Sequence, residues 1–438
     1  MPPTSISLPP DLSRVWAEID LDAVIHNVRA IRGTLKHGAD LMAVVKANAY
    51  GHGAAPVARA ALFAGAKRLG VVKVSEGLEL RAAGIDAPIQ LLGPVMPQEY
   101  SPGIEADLTF SVSSEDELAA LAEKTRALNQ GLRRGRRTKV HLLVDTGMGR
   151  GGFAPDELWP ATARVKAERT LMLEGVFTHF SSAEELDPEP TREQVRLFRS
   201  ILQRLEAQLG TRLLRHAANS AATVFFPEAQ LDLCRCGLLL HGLRGWAAER
   251  DGLELRPSLS LKARVVHVGM RPVGWTVGYN RTFRCARETM LATVSMGYSD
   301  GYRRALSGRS ECIIRGRRVP VVGTVSMDYL VADVTALQYA NETPDLGEEV
   351  ILLGAAKSGE RISVEDLASS SGTIPYVITT QLGPNVERRY VGGPPLKNML
   401  TDGMAVELRR VEWPKLETQP IAAQKKEEDP PQRIAQGA

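Results

Sequence analysis

Cysteine is scarce in this chain of 438 residues, which contains only Cys234, Cys236, Cys285 and Cys312. Such sparse use in a long chain argues against a disulfide framework and indicates a reducing compartment, so we expect a cytoplasmic protein. One residue separates the first two cysteines, and this spacing is not typical of a zinc site. No metal is therefore expected.

The chain also lacks a strong charge and long apolar runs. A net charge of +3 is too small to favour nucleic acid or a charged membrane surface as a partner. No apolar run approaches the length of a membrane span, and the first ten residues do not resemble a secretory signal. A basic run without interleaved aromatic residues is interpreted as a solvated loop; it contains Arg133, Arg134, Arg136, Arg137 and Lys139.

Apolar residues make up 44% of the chain, which is enough for a sizeable core, and the length predicts two domains. Short apolar runs alternate with helical patterns through the first half. Eight strands are predicted in this way, at residues 41–45, 69–72, 89–92, 108–112, 140–144, 173–178, 213–217 and 231–235. This count favours a closed (β/α)8 barrel of the TIM type, with an open doubly wound sheet as the alternative.

The pattern of apolar and polar residues changes after Trp246. Short alternating segments separated by glycine and proline predict a second, mainly-β domain. The predicted organisation is a loose N-terminus at residues 1–14, the barrel at 15–255, the C-terminal β domain at 256–408 and a polar, disordered tail at 409–438.

A lysine stands where the first apolar barrel strand stops. In Leu41-Met42-Ala43-Val44-Val45-Lys46, the lysine emerges from a dry core, where burial disfavours the ammonium form and lowers the pKa. Such an amine can form a Schiff base with an aldehyde cofactor. The alternative is a lysine whose amine simply reaches solvent at a strand end.

Other polar residues and glycines follow the predicted strands, at the barrel end where function gathers. They include Tyr50, Asp145, Arg150, His179, His216, Asn219, Ser220, Arg235 and Gly237. Ser220 and Gly237 suit a phosphate at a helix N-terminus, and a phosphate beside an amine indicates pyridoxal phosphate. The glycine pattern at residues 147–152 also matches a dinucleotide fingerprint, but it follows the fifth strand and has no acidic partner, so we rank that alternative low.

Six blocks of sequence, taken in order, resemble the bacterial alanine racemase family, whose members are fold type III enzymes. These blocks are A-V-V-K-A-N-A-Y-G-H-G, D-T-G-M-G-R, T-H-F, H-A-A-N-S-A-A-T, G-Y-S-D-G-Y and V-G-T-V-S-M-D. The resemblance implies a barrel followed by a β domain, with the strand at residues 16–21 joined to the β domain. It also implies a head-to-tail homodimer with shared active sites and pyridoxal 5′-phosphate as cofactor.

The activity that the resemblance implies is racemisation of L-alanine to D-alanine by two bases, supplying peptidoglycan. A racemase of broader or different amino-acid preference is the first alternative. A barrel decarboxylase is another, although such enzymes place a carboxylate where Arg235 stands. A non-catalytic cofactor-binding barrel is the third, and such barrels lack the second domain.

The resemblance also assigns roles to residues. Lys46 holds the cofactor and acts as one base, and Tyr298 of the second subunit acts as the other. His179 and Arg235 form the network that assists Tyr298, with Arg235 facing the pyridine nitrogen. The remaining cofactor-binding residues are Tyr50, Asn219, Ser220, Gly237 and Tyr376, and the substrate carboxylate meets Arg150 and the backbone of Met327.

Three positions depart from the family pattern. Leu143 stands where many members have a lysine that is often carbamylated, so another group must position Arg150. Cys236 replaces the usual proline after the pyridine-facing arginine, and His241 replaces a usual tyrosine. The loop at residues 181–185, near the expected entrance, is also unusual. These departures bear on substrate range and leave the reaction type unchanged.

Overall fold

The structure is a computed structural model that describes residues 13–130, 135–246, 250 and 252–394. The predicted tail at 409–438, most of the loose N-terminus, and Arg133 and Arg134 of the basic run lie outside the described residues. Arg136 and Arg137 donate hydrogen bonds to backbone carbonyls of the barrel, and Lys139 pairs with Asp107.

The first strand, β1 (Val15–Asp20), leads directly into helix α1 (Leu21–Thr34). Asp20 caps this helix, because its carboxylate accepts a hydrogen bond from the backbone N–H of Ala23 at 2.9 Å. The apolar face of α1, including Val24, Val28 and Ile31, is buried in the main core.

Eight parallel strands follow and form the barrel. They are β2 (Asp40–Val44), β3 (Arg68–Val71), β4 (Ile89–Leu91), β5 (Leu108–Val112), β6 (Thr138–Leu143), β7 (Leu171–Phe177), β8 (Leu214–His216) and β9 (Leu233–Cys236). Each pairs with the next from β2 to β8, and β9 pairs with β2. Backbone bonds from Asp232 to Arg215 and from Arg235 to Ala218 bring β9 against β8. The sheet is thus nearly closed, which confirms the barrel and excludes the open sheet.

Helices cover the outside of the barrel, as the alternating pattern predicts. The segment α2 (Lys46–Tyr50) is a single turn at the carboxyl end of β2 with left-handed backbone at residues 47–50. The helices that follow are α3 (Ala54–Phe63), α4 (Val74–Ala82), α5 (Tyr100–Glu105), α6 (Glu115–Leu128), α7 (Leu158–Ala167), α8 (Glu189–Leu209) and α9 (Ser220–Phe225). Barrel strands such as β5 are buried along their whole length, which explains their continuous apolar sequence.

The C-terminal half is mainly β. Its strands are β10 (Leu259–Arg271), β11 (Thr276–Val277), β12 (Phe283–Arg284), β13 (Thr289–Val294), β14 (Glu311–Ile314), β15 (Arg317–Val322), β16 (Leu330–Asp333), β17 (Glu349–Ala355), β18 (Arg361–Ile362) and β19 (Glu387–Val391). Three short helices accompany them, α10 (Thr335–Tyr339), α11 (Val364–Ser370) and α12 (Pro375–Thr380).

The main C-terminal sheet has the order β18-β17-β14-β15-β16-β13-β10-β1-β19, and β17 also pairs with β10. β1 runs antiparallel to β10, with Trp16 opposite Lys262, and parallel to β19, with Ala17 opposite Arg388. The first described strand therefore lies in the C-terminal sheet. This connection makes the two halves of the chain share one core.

Candidate active site

Lys46 follows strand β2 at the carboxyl end of the barrel. Burial lowers the pKa of its amine, and the positive charges of Arg150 and Arg235 lower it further, while Glu76 opposes them. The direction of this pKa shift agrees with the expectation from the sequence. A larger fraction of the amine is unprotonated at neutral pH than for an ordinary lysine, so it can act as a nucleophile and as a base.

The turn after Lys46 is strained. Ala47, Asn48, Ala49 and Tyr50 all have positive φ, between 50° and 54°, where residues with a β-carbon are disfavoured. Glu76 helps to hold this turn, because its carboxylate accepts a hydrogen bond from the backbone N–H of Ala47 at 2.6 Å. The strained turn fixes the direction in which Lys46 and Tyr50 leave the strand.

The C-terminal half packs against the same loop. Gly51 has a φ of +88°, and a β-carbon there would lie 2.0 Å from the carbonyl oxygen of Thr379. Gly53, with a φ of +101°, would clash in the same way with the phenol of Tyr390. These close approaches explain the two glycines after the lysine and tie the loop to α12 and β19.

Tyr50, Ser220 and Gly237 lie together at the ends of three different barrel segments. The backbone N–H of Gly237 donates to the hydroxyl of Ser220 at 3.1 Å. Tyr50 is buried, and burial raises the pKa of its phenol above its usual value. The three residues form a cradle of two hydroxyl groups around Gly237, whose backbone N–H is already paired with Ser220.

Arg235, on β9, is fully enclosed in the barrel mouth. Its Nη2 donates to the carbonyl of Thr178 at 2.8 Å and to that of Ala217 at 3.0 Å, and its Nη1 donates to Nδ1 of His216 at 3.0 Å. Burial lowers the pKa of Arg235 to about 10, so the guanidinium stays protonated at neutral pH. Within the described residues its Nε–H has no acceptor, which leaves a donor for a ligand.

His179, on the loop after β7, lies beside Arg235. Its Nδ1 lies 3.1 Å from Nη2 of Arg235, whose two N–H groups also face the carbonyls of Thr178 and Ala217. Burial first, and then the charges of Arg235, Arg150 and Lys46, lower the pKa of His179 to about 3. The imidazole is therefore neutral at pH 7. These mutual charge effects show that Lys46, Arg150, His179 and Arg235 share one site.

The glycine loop after β6 is organised by Asp145. Its carboxylate accepts hydrogen bonds from the backbone N–H groups of Gly147, Met148 and Gly149, at 2.8 to 2.9 Å. The glycines thus close a loop around a side chain of the protein itself, which does not favour the dinucleotide alternative. The loop presents Arg150, which is exposed and for which no hydrogen bond is found within the described ranges.

Two predicted cofactor residues already have partners in the chain. Asn219 caps helix α9, because its side-chain oxygen accepts from the backbone N–H of Ala222 at 2.9 Å. The phenol of Tyr376 donates to the carboxylate of Glu184 at 2.9 Å, across from the ring of Tyr50. Burial, and then the charge of Glu184, raise the pKa of Tyr376 above its usual value. Glu184 belongs to the loop that the sequence marks as unusual.

Tyr298 and Met327 lie together on the surface of the C-terminal half. The backbone N–H of Tyr298 donates to the carbonyl of Ser326 at 3.1 Å, and that of Ser299 donates to the carbonyl of Met327 at 3.0 Å. The side chains of Tyr298 and Met327 are 43% and 54% exposed. Within the part of the chain that is described, neither makes a hydrogen bond to a barrel-mouth residue.

A second exposed tyrosine, Tyr279, lies beside the same loop and is not among the residues predicted from the sequence. It is 70% exposed, and its carbonyl accepts a hydrogen bond from Oγ1 of Thr324 at 2.9 Å. Asn280 and Arg281, which follow it, have φ of 61° and 52°. Strain of this kind gathers at functional sites. The available sequence signal was a tyrosine between Gly278 and Asn280, both of which tolerate positive φ.

Metal clusters and membrane-spanning helices are both absent from the described residues. No group of three or more His, Cys, Asp and Glu side chains is arranged to hold a metal ion there. None of the helices in those ranges combines the length and the apolar character needed to cross a membrane.

A nearly closed barrel with a lysine of lowered pKa at its mouth, joined to a β domain with exposed tyrosines, is the arrangement expected of an amino-acid racemase. Family models agree: the N-terminal domain of alanine racemase matches residues 19–245, and the C-terminal domain matches residues 258–390. The chain belongs to the alanine racemase family.

Individual relatives support this membership. The alanine racemase of Desulforamulus reducens is 44% identical over 381 residues, which is 86% of this chain and 99% of that protein. The solved alanine racemase of Streptomyces lavendulae, a producer of D-cycloserine, is 38% identical with a TM-score of 0.80 and covers 90% of this chain and 100% of its own. A histidine racemase from Leuconostoc mesenteroides is also similar, at 30% identity and a TM-score of 0.77, covering 88% of this chain and 99% of its own.

Proposed function

We propose that this protein interconverts L- and D-alanine with pyridoxal 5′-phosphate as its cofactor, and that the D-alanine enters peptidoglycan. The observation that carries the proposal is Lys46, an amine of lowered pKa beside Arg235 and an anion cradle, in a chain whose relatives are alanine racemases. We infer a cytoplasmic location from the four cysteines, all of them free and buried.

The residues at the barrel mouth fit this cofactor. In the cradle, the hydroxyls of Tyr50 and Ser220 can donate to a phosphate, and Gly237 lacks a side chain that would fill the space. Lys46 offers the amine, and the free Nε–H of Arg235 offers a donor to a ring nitrogen. When bound, the cofactor would supply an aldehyde for the amine of Lys46 and an electron-withdrawing ring that would make the α-proton of an amino acid acidic.

Each side chain then has a task that its environment supports. Lys46 takes or returns the proton on one face of the α-carbon, since its lowered pKa keeps part of the amine unprotonated. Arg235 stays cationic and donates a hydrogen bond without transferring its proton, which weakens electron withdrawal by the ring and limits side reactions. Arg150, exposed at the same mouth, receives the substrate carboxylate together with the backbone of Met327 of a partner subunit.

The second base is, in this proposal, a tyrosine of a partner subunit in a homodimer with shared active sites. The sequence favours Tyr298. The structure offers Tyr279 as well, and the strained turn at Asn280 and Arg281 and the greater exposure make Tyr279 the stronger candidate. Both tyrosines are exposed, and their backbones contact Ser326 and Thr324 of the loop that carries Met327, as expected for groups that a second copy covers. A racemase needs its two bases on opposite faces of the substrate, which a partner chain can satisfy.

A different substrate preference is the alternative supported by a specific observation. Leu143, Cys236 and His241 depart from the family pattern, and one similar structure is a histidine racemase. Leu143 offers no charge to position Arg150, the residue proposed to hold the substrate carboxylate.

A racemisation assay on a panel of L-amino acids tests the proposal. The protein is loaded with pyridoxal 5′-phosphate, and product enantiomers are separated by chiral chromatography. We expect the highest kcat/KM for alanine and no racemisation by Lys46→Ala. A preference for histidine or another amino acid would establish the alternative, and absence of racemisation with every substrate would overturn both.

A further inference from the structure

A continuous chain of hydrogen bonds runs from Arg235 through two buried histidines to Glu174 and Arg68, which lie on the non-adjacent strands β7 and β3. Nδ1 of His216 lies 3.0 Å from Nη1 of Arg235, and Nε2 of His216 lies 2.8 Å from Nδ1 of His141. Nε2 of His141 lies 2.9 Å from Oε2 of Glu174. Glu174 in turn accepts two hydrogen bonds from Arg68, at 2.8 and 2.7 Å. None of the four residues beyond Arg235 belongs to the proposed cofactor or substrate set.

Donor and acceptor roles fix the direction of this chain. A guanidinium can only donate, so Nδ1 of His216 must accept from Arg235. A neutral His216 then carries its proton on Nε2 and donates it to Nδ1 of His141. His141 in turn carries its proton on Nε2 and donates it to Glu174, which as a carboxylate can only accept.

The ionisation states agree with this assignment. Both imidazoles are fully buried, and burial lowers the pKa of each below its usual value. Burial alone would raise the pKa of Glu174, but the hydrogen bonds from His141 and Arg68 outweigh it and hold the pKa well below its usual range. Two neutral histidines between a carboxylate and a cation satisfy every donor along the chain.

Packing holds the rings in this arrangement. Phe177 stacks on His216 with ring centroids 4.7 Å apart and an interplanar angle of 6°, and its ring also lies under the guanidinium of Arg235. Gly175 makes room for His141, since a β-carbon at this position would lie 2.5 Å from Nδ1 of the imidazole. Neither ring can rotate freely to exchange its two nitrogen atoms.

We propose that Glu174, His141 and His216 act as positioning residues for the racemase reaction. They form a relay in which each group donates a hydrogen bond to the next, from Arg235 through His216 and His141 to Glu174. The relay presents an acceptor to Nη1 of Arg235 and so holds the guanidinium with its Nε–H toward the cofactor ring. The positioning role rests on the proposed function, because it concerns the cofactor-facing group of Arg235. The direction of the hydrogen bonds does not depend on that function. Arg68 completes the relay by fixing both oxygens of Glu174.

The test uses Glu174→Gln, which keeps the shape of the side chain and removes one acceptor. The amide of glutamine cannot accept hydrogen bonds from both His141 and the two N–H groups of Arg68, because one of its two polar atoms is itself a donor. Its –NH2 group therefore faces an N–H of either Arg68 or His141. In the cofactor-loaded protein with ¹⁵N-labelled histidine, we expect the wild-type His141 and His216 to carry the proton on Nε2. In Glu174→Gln we expect mixed tautomers, a kcat for alanine at least tenfold lower, and a KM changed less than twofold.

A double variant, Arg68→Met with Glu174→Gln, separates positioning from stability. Without Arg68 the amide oxygen is free to accept from His141, so the tautomers should return to Nε2–H and kcat should recover at least threefold relative to Glu174→Gln. A purely structural role predicts the opposite order, because the double variant loses the ion pair entirely. Glu348→Gln is the matched control, since Glu348 pairs with Arg315 at 2.9 Å on the surface with no imidazole behind it.

Three results would overturn the relay. They are a wild-type His216 with its proton on Nδ1, a Glu174→Gln variant with unchanged tautomers and kcat, and a double variant no more active than the single one. If the protein racemised no amino acid at all, the proposed function would fail while the tautomer measurement would still decide the hydrogen-bond direction.

Discussion

Gly237 and Tyr50 approach each other so closely that a β-carbon on residue 237 would lie 2.2 Å from the phenol oxygen of Tyr50. The loop after β9 and the strained turn after β2 therefore meet across a gap that only glycine permits. Ser220 joins them by accepting the N–H of Gly237. This contact brings three distant parts of the sequence together where an anion can bind.

Gly237→Ala should weaken cofactor binding, because the added methyl group displaces the phenol of Tyr50 from the cradle. We expect the Kd for pyridoxal 5′-phosphate to rise by about tenfold or more, which corresponds to about 1.4 kcal/mol. Titration of the cofactor-free protein, followed by absorbance, measures it. Gly33→Ala is the control, since a β-carbon at Gly33 meets nothing within 4 Å. Unchanged affinity in Gly237→Ala would contradict the cradle.

Lys46→Ala should abolish racemisation, because it removes both the attachment point of the cofactor and one base. Mass spectrometry after borohydride reduction should show the cofactor attached in the wild type and absent from the variant. Lys67→Ala, an exposed lysine before β3, should leave both results unchanged. Covalent cofactor on another lysine of the variant would count against the assignment.

The two exposed tyrosines can be distinguished by the effect of each substitution on α-proton exchange. Tyr279→Phe should slow α-proton exchange with one enantiomer preferentially, by about 100-fold or more, the range expected for loss of a general base. Solvent deuterium incorporation into L- and D-alanine measures the exchange. We expect Tyr298→Phe to have the smaller effect, and the reverse order would return the role to Tyr298.

Mixed dimers show whether the tyrosine comes from the partner. When Lys46→Ala and Tyr279→Phe are dissociated and reassociated together, half of the dimers are mixed, and each mixed dimer has one intact site. Activity should therefore return to about a quarter of the wild-type value. No recovery in any mixture, including one made with Tyr298→Phe, would contradict a shared site.

Acid should destabilise the protein through two stacked histidines. His52 and His241 are fully buried, with ring centroids 3.8 Å apart, and neither His241 nitrogen has a partner within the described residues. Burial lowers the pKa of His52 to about 4, against the hydrogen bonds to the carbonyls of Tyr50 and Ala49, and Arg388 lowers it further. Burial also lowers the pKa of His241, with His52 adding to the effect.

Because the folded-state pKa is depressed, the unfolded chain binds the proton more readily, and stability falls as pH drops. The loss begins near the unfolded pKa of about 6.5 and for His52 continues to about pH 4, reaching about 3 kcal/mol. Thermal unfolding at pH 4 to 8 measures it. His241→Tyr, which restores the usual family residue, should weaken this dependence because it removes one of the buried imidazoles, whereas the exposed His37→Gln should leave it unchanged. Equal pH dependence in all three proteins would contradict the assignment.

The sequence alone predicted the barrel, the β domain, the lysine and the three residues of the cradle. These features follow local rules: apolar runs alternate with helical patterns, a lysine ends a buried strand, and glycines mark close approaches. Asp20 as a helix cap is equally local, since the capping carboxylate lies three residues from its donor.

Only the tertiary structure identified Tyr279 as a candidate and revealed the relay behind Arg235. Tyr279 stands out because the backbone after it is strained, and φ angles cannot be read from residue types. His141 and His216 are 75 residues apart in the chain and meet because β6, β7 and β8 are neighbours in register. The proton positions on their rings follow from a cation at one end and a carboxylate at the other, and that order exists only once the strands have assembled.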